Sequence, residues 1–216
     1  MATSYLNLIG KARFIHHIFT PDDAFGASKY KAGIWLDEAN YDKYRKSGIQ
    51  AGYQDPAKPN FFGQPGDPTK LKEDQEGPYV VLSRDDAKPI GKQMVYFLPP
   101  YIKNPDTSYR VCYVDENNEV IRQYQDPNQK SKIRRLGETF RIGNGSLVEL
   151  NVAVFDTKFK GKGHRLEGIR ILDLIEYVPN KQTFDLPAES SVPFAMDEEV
   201  VEVQEEAPKK KKAKAF

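Results

Sequence analysis

Two clusters of basic residues bracket an apolar segment in the last third of the chain, and their spacing is the strongest chemical signal in the sequence. Lys130, Lys132, Arg134, Arg135 and Arg141 precede that segment, and Lys158, Lys160, Lys162, His164 and Arg165 follow it. Phe140, Phe155 and Phe159 are interleaved with them. Cations that meet phosphates, alternating with aromatic faces that meet bases, are what a single-strand binder needs. Stacking there is worth roughly 1–3 kcal/mol per base, and an arginine can itself lie flat on a base. Lys31 and Trp35 add a second pair, one cation and one ring on the same strand face. Each position also has a plainer reading: hairpin lysines are usually just solvated, and a lone tryptophan usually packs in a core.

Catalytic chemistry finds little to work with. His16 and His17 are adjacent and would point to opposite faces of a strand, while His164 sits in a basic loop. Without a helical i, i+4 pair they make no usual zinc site. Ser146 is not in a Gly-x-Ser-x-Gly elbow, and Gly143 to Ser146 lacks the lysine and spacing of a phosphate loop. The paired acids Asp22-Asp23 and Asp85-Asp86 could hold Mg²⁺ in a nuclease, but turns attract Asp anyway. The expectation is a chain that is not an enzyme and uses no cofactor or metal. Cys112 is the single cysteine. It reads as a small buried apolar group, and no intrachain disulfide can form. A reducing, cytoplasmic compartment is expected, with no signal peptide and no membrane span.

The elements that would position these residues are mostly strands. Tyr5 to Ile18 is long and mostly apolar and reads as a strand. Tyr30, Ala32, Ile34 and Leu36 alternate with Lys31, Gly33 and Trp35, as a half-buried strand does. Asp37 caps a helix running to Lys46, with Gly48 as its stop. Residues 51–77 read as a long loop. Strands are predicted over Tyr79–Arg84, Gln93–Leu98, Tyr109–Val114 and Val120–Tyr124, the last two as a hairpin about residues 115–119. Leu147–Phe155 alternates cleanly, and Leu166–Tyr177 is nearly continuous in apolar residues. Gly143-Asn144-Gly145 is a tight turn ahead of them. Seven or eight strands and one sure helix favour a small antiparallel β-barrel over a doubly wound sheet. The predicted division is a barrel domain over 1–179 and a charged tail over 180–216, which cannot bury enough apolar area to fold.

With 216 residues, 32 Lys and Arg, 31 Asp and Glu and a net charge of +1, polyanion binding cannot rest on total charge. It must rest on where the cations lie.

The run from Arg141 through Gly-Asn-Gly-Ser-Leu-Val to Phe155, followed by Gly161-Lys-Gly-His-Arg-Leu-Glu-Gly-Ile-Arg-Ile-Leu-Asp-Leu-Ile-Glu-Tyr177, resembles the single-stranded DNA-binding proteins of short-tailed bacteriophages. Thr20-Pro21-Asp22, the Tyr30-Lys31 strand opening and an acidic tail ending in Phe216 fit the same pattern. The resemblance implies an OB-fold-like antiparallel β-barrel with one short helix. It implies sequence-independent binding of single-stranded DNA in replication, recombination and repair, strand annealing, and a homodimer. It further implies contacts with the phage DNA polymerase and primase-helicase through tail residues Asp197, Glu198, Glu199, Glu202, Glu205, Glu206 and Phe216, all in the cytoplasm of the infected host. The expected DNA-binding set is Lys31, Trp35, Arg134, Arg135, Phe140, Arg141, Phe155, Lys158, Phe159, Lys160, Lys162 and Arg165. One departure is the lysine run Lys209 to Lys212 with Lys214, which offsets much of the tail's negative charge. A rival reading is a structural or adaptor protein that uses barrel and tail for protein contacts.

Overall fold

The computed structural model describes residues 3–15, 17–23, 28–157 and 161–177. Five strands form the barrel: β1 (Thr3–Arg13), β2 (Lys29–Leu36), β4 (Gly77–Asp85), β11 (Leu147–Asp156) and β12 (Lys162–Asp173). Short strands fill the sequence between them: β3 (Glu73–Asp74), β5 (Ala87–Ile90), β6 (Gln93–Phe97), β7 (Tyr101–Lys103), β8 (Tyr109–Val114), β9 (Gln123–Tyr124) and β10 (Arg134–Leu136). The helix α1 (Glu38–Ser47) follows β2. The chain is therefore mainly β.

Local sequence explains the main elements. On β2, Tyr30, Ala32, Ile34 and Leu36 are buried while Lys31 and Trp35 face outward. On β11, Val148, Leu150, Val152 and Val154 turn inward in the same period of two. Asp37 accepts the Asn40 N–H at 2.8 Å as the N-cap of α1, and Gly48 closes it at φ 76°, where a side chain would be strained. Tyr44 anchors the helix to the core, its hydroxyl donating to the Ala51 carbonyl at 2.7 Å.

The order of pairing is that of an OB-fold. β1 runs antiparallel to β2 and to β11, β2 antiparallel to β4, and β11 antiparallel to β12. Strands β4 and β12 thus both run in the direction of β1, and they lie side by side to close the circuit. The resulting circuit, β1-β2-β4-β12-β11, is the five-stranded Greek-key barrel. Its interior is packed with Leu8, Ile34, Val80, Leu82, Leu150, Val152, Leu166 and Ile169. Beyond β12 the sheet continues through β7, β8 and β10, and β5, β6 and β9 form a separate small sheet.

The closing seam is held by side chains, since no backbone ladder joins β4 to β12. Arg84, 2% exposed, donates to Glu167, also 2% exposed, at 2.8 Å. Its other terminal nitrogen donates to the Arg122 carbonyl at 2.6 Å. The Ser83 N–H donates to His164 Nε2 at 3.2 Å.

Several expectations shift. The predicted strand Tyr5–Ile18 stops at Arg13, because Phe14 adopts a left-handed φ of 55° and the chain leaves the sheet. Ile15 and Ile18 are still buried, but as plugs from a loop. The expected 109–124 hairpin does not form as a ladder: Val120 makes a single bridge to Val114, and Gln123–Tyr124 pairs with β6 instead. The last strand starts earlier and ends earlier than Leu166–Tyr177. Outside the barrel circuit, β7 pairs parallel to β12. Cys112 is buried on β8 as expected. Among the described residues no helix is long and apolar enough to cross a membrane. The expected tail, 180–216, lies outside the described residues.

Two predictions follow from the seam. Replacing Glu167 by Ala leaves Arg84 buried without its counter-charge. The variant should lose about 3–5 kcal/mol of unfolding free energy in urea titration; a loss near 0.5 kcal/mol, that of an ordinary surface change, would mean that other contacts carry the seam. His164 should make stability pH-dependent. Burial, with Lys29 adding to it, lowers its pKa below the usual imidazole value, so it is held neutral as an acceptor. The unfolded chain therefore takes up a proton first on acidification. Stability should be intact above about pH 6.5 and fall as the pH drops below it, and His164→Gln should flatten that fall.

Candidate nucleic-acid interface

In an OB-fold the face of the second and third strands, with the loops joining strands one to two and four to five, is where oligonucleotides bind. Here that face is the outer surface of β2 and β4. Trp35 pairs with Tyr79 across the ladder, and Lys31 pairs with Ser83. Its cations, however, are tied to acids. Lys31 Nζ is 2.6 Å from Asp22, and Lys29 is 3.2 Å from Asp85. Arg13 donates to Asp74 at 2.7 Å, and the Trp35 indole N–H donates to the other oxygen of the same carboxylate at 2.8 Å. Arg13 also covers Tyr79, its guanidinium carbon 3.5 Å from the ring centroid. Partial desolvation pushes the Asp74 carboxyl up, but the bonds from Trp35, Arg13 and Glu76 outweigh it and hold its pKa below the usual value. The surface is largely neutralised, and Trp35 serves chiefly as a packed, hydrogen-bonded member of it.

A different surface keeps its positive charge. The loop after β1 supplies Ile15, Ile18, Phe19 and Thr20 to one wall of a cleft of about 730 Å³, and Phe140, Arg141, Ile142 and Tyr177 supply the other. Tyr113 and Arg135 line this cleft and also a second one of about 650 Å³, so the two adjoin and are treated together as one groove. The second part is walled by Tyr30, Tyr96, Phe97 and Tyr124, with Lys130 at its edge and Asp86 also in the wall. Tyr96 and Tyr124 are stacked, centroids 5.2 Å apart at 15°. Phe140 meets Phe19 edge to face at 6.2 Å, and one face of Phe140 is covered by Arg110 at 3.9 Å. Arg141 lies 5.7 Å from the Tyr177 ring. Lys130, Arg135 and Arg141 make no ion pair among the described residues. Burial raises the pKa values of Tyr113 and Tyr124. It takes Tyr30 up to about 12, helped by the nearby tyrosines and Asp86. All three hydroxyls thus stay protonated donors at neutral pH. Rings interleaved with uncompensated cations can stack bases and neutralise phosphates.

Of the residues expected from sequence, the structure brings Arg135, Phe140 and Arg141 together in this groove. Arg134 is exposed on β10 and donates to the Asn118 side chain. Phe155 lies against Gly163, where a Cβ would come within 2.6 Å of the ring. Lys162 pairs with Asp156 at 2.5 Å at the base of the β11–β12 hairpin. Arg165 donates to Glu167 at 2.5 Å, near the seam. Lys158, Phe159 and Lys160 lie outside the described residues. The Gly-Asn-Gly turn proves structural: Asn144 accepts the Phe14 N–H at 3.0 Å, and buried Ser146 bonds with the Gly143 and Ile175 backbones. Sequence reasoning missed Tyr30, Tyr96, Tyr113 and Tyr124. They come from four separate strands, and only the general excess of tyrosine, 12 in all, pointed to them.

No family model and no curated protein matches the chain. Among solved structures, it is similar to the crystal structure of gp2.5, a single-stranded DNA-binding protein encoded by bacteriophage T7. The identity is 11% over 83% of this chain and 92% of that one, with a TM-score of 0.43.

Removing the shared acceptor on the neutralised face should have a defined effect. Asp74→Ala leaves the Trp35 indole and Arg13 without their partner. It should cost about 1–3 kcal/mol and shift the emission of this single tryptophan to the red; an unchanged spectrum would mean that Trp35 is held by packing alone.

Proposed function

We propose that this chain binds single-stranded DNA without sequence preference. The observation that carries the reading is the groove in which Arg135, Arg141 and Lys130, none of them ion-paired among the described residues, alternate with the rings of Phe140, Tyr113, Tyr96 and Tyr124. Ring faces accept any base, and cations meet any phosphate, so the contacts carry no sequence code. A duplex hides its base faces and cannot use the rings, which favours single strands.

The sequence resemblance extends the proposal. The barrel over 1–179 is the binding domain, and Lys158, Phe159, Lys160 and Lys162 add contacts from the hairpin. The protein acts without catalysis in phage DNA replication, recombination and repair in the host cytoplasm. It works as a homodimer that anneals strands, and its tail over 180–216, through Asp197 to Glu206 and Phe216, engages the DNA polymerase and primase-helicase.

Anisotropy titration of a labelled strand of about 30 nucleotides against its duplex, across a salt series, tests the reading. Single-strand affinity should exceed duplex affinity and fall steeply with salt, by about 0.7 in log–log slope per phosphate contact. The double variant Arg135→Glu, Arg141→Glu should lower that slope by about 1.4. An unchanged slope would remove the groove from the interface. Absence of salt-dependent binding by the unaltered protein would leave the adaptor reading.

A further inference from the structure

The outer face of the barrel on the far strands carries a second set of exposed rings and cations that the groove does not use. Along β1, β11, β12, β7 and β8 the outward positions form cross-strand rows. Tyr5 pairs with Ala153, which pairs with Arg165. Asn7 pairs with Asn151, which pairs with Gly168, which pairs with Tyr101. The Tyr101 ring lies across Gly168, where a Cβ would come within 2.2 Å of it, so only glycine lets the ring lie flat on the sheet. Its hydroxyl donates to Asn151 at 3.2 Å. Tyr109 stands at 90° to it with centroids 5.8 Å apart, and Lys103 Nζ is 4.7 Å from the Tyr109 ring. Tyr5 is 62% and Tyr109 42% exposed, high values for rings that fold alone would bury.

Charge favours a polyanion here. Glu149 is paired with Arg170 at 2.5 Å, while beneath the face the single buried carboxylate of Glu167 meets three guanidiniums, those of Arg84, Arg165 and Arg122, so that cluster keeps a net positive charge. Lys103 adds positive charge beyond that cluster. Two arginines also link the face to the groove. Arg165 lies 5.3 Å from the ring of Phe97, a groove wall residue, and Arg122 lies 4.9 Å from the ring of Tyr101. Both converge on Glu167.

We propose that a single strand leaving the groove continues over Arg165 and Arg122 onto the face of Tyr5, Tyr101, Lys103 and Tyr109, which is a second stacking surface for nucleic acid. This inference rests on the groove reading, and it sets the length of strand that one chain covers. A strand of a few nucleotides is satisfied by the groove, whereas a longer one also reaches the face.

The test uses the full chain and two probes, single strands of about 6 and about 30 nucleotides. The variant Tyr5→Ala, Lys103→Gln, Tyr109→Ala alters only the more accessible members, and its thermal unfolding is measured alongside. It should bind the long strand about tenfold more weakly, the loss expected for about one stacking contact, with unchanged affinity for the short one and an unchanged melting profile. Equal affinity of variant and unaltered protein for the long strand overturns the proposal, as does a parallel loss for both strands. Failure of the unaltered protein to bind either strand overturns the groove reading as well. Loss of short-strand binding in Arg135→Glu, Arg141→Glu, set beside its retention in the face variant, is the result that separates the two surfaces.

Discussion

At the closing seam of the barrel lies one buried ion pair. β4 and β12 are the strands whose contact turns an open sheet into a closed one, and they share no backbone ladder. Arg84 and Glu167 join them from positions 83 residues apart in sequence. Burying two charges costs several kcal/mol each, and Coulomb attraction compensates only if the geometry is good and the remaining polar atoms are satisfied. That condition is largely met. Both terminal nitrogens of Arg84 donate, one of them also reaching the Leu166 carbonyl at 3.4 Å, and Glu167 receives Arg165 besides. The Nε of Arg84 is buried without a partner, so the site is a specifying contact more than an optimised one. Because Arg84 also holds the Arg122 carbonyl, the pair fixes the segment that leads into β9. That is the strand bearing Tyr124, one wall of the groove.

The seam therefore couples closure to placement of the candidate interface. Tyr30 is on β2, Tyr96 on β6, Tyr113 on β8 and Tyr124 on β9. None of these strands is adjacent in sequence to all the others, and β6 and β9 belong to a small sheet that rests beside the barrel. A shift of the 115–123 segment would separate Tyr124 from Tyr96, whose stacking at 5.2 Å depends on the β6–β9 pairing. The loop after β1 is fixed from the other side by the Asn144 bond to the Phe14 backbone, which sets Phe19 against Phe140.

What could be read from sequence and what could not divides along a physical line. Period-two alternation identified β2 and β11, because each buries one face and the pattern is local. The Asp37 and Gly48 caps identified α1 for the same reason. The three-residue strands β7 and β10 are too short to show a period. The apolar run through Ile18 imitated a longer strand, since burial in a plugging loop leaves the same composition as burial in a sheet. Arg135, Phe140 and Arg141 were legible because they cluster within seven positions. The tyrosines opposite them, and the Arg84–Glu167 pair, arise only when distant strands meet. The charge on Lys31 looked as available as that on Arg135. Only the folded chain shows Asp22 beside the one and, among the described residues, no carboxylate beside the other.

That last contrast also explains how a chain of net charge +1 can carry a locally cationic groove. Acids and bases are nearly equal in number, so the field at any point depends on pairing. Within a Debye length of about 8 Å at physiological salt, a phosphate responds to local charge rather than to the total. On the β2–β4 face, Asp22, Asp74 and Asp85 sit within bonding distance of Lys31, Arg13 and Lys29, and a phosphate arriving there would have to displace a carboxylate. In the groove, Lys130, Arg135 and Arg141 have no carboxylate partner among the described residues, so within them the gain from counterion release is not offset by the cost of breaking an ion pair. The OB topology makes both surfaces available; the placement of three aspartates sets the difference in charge between them.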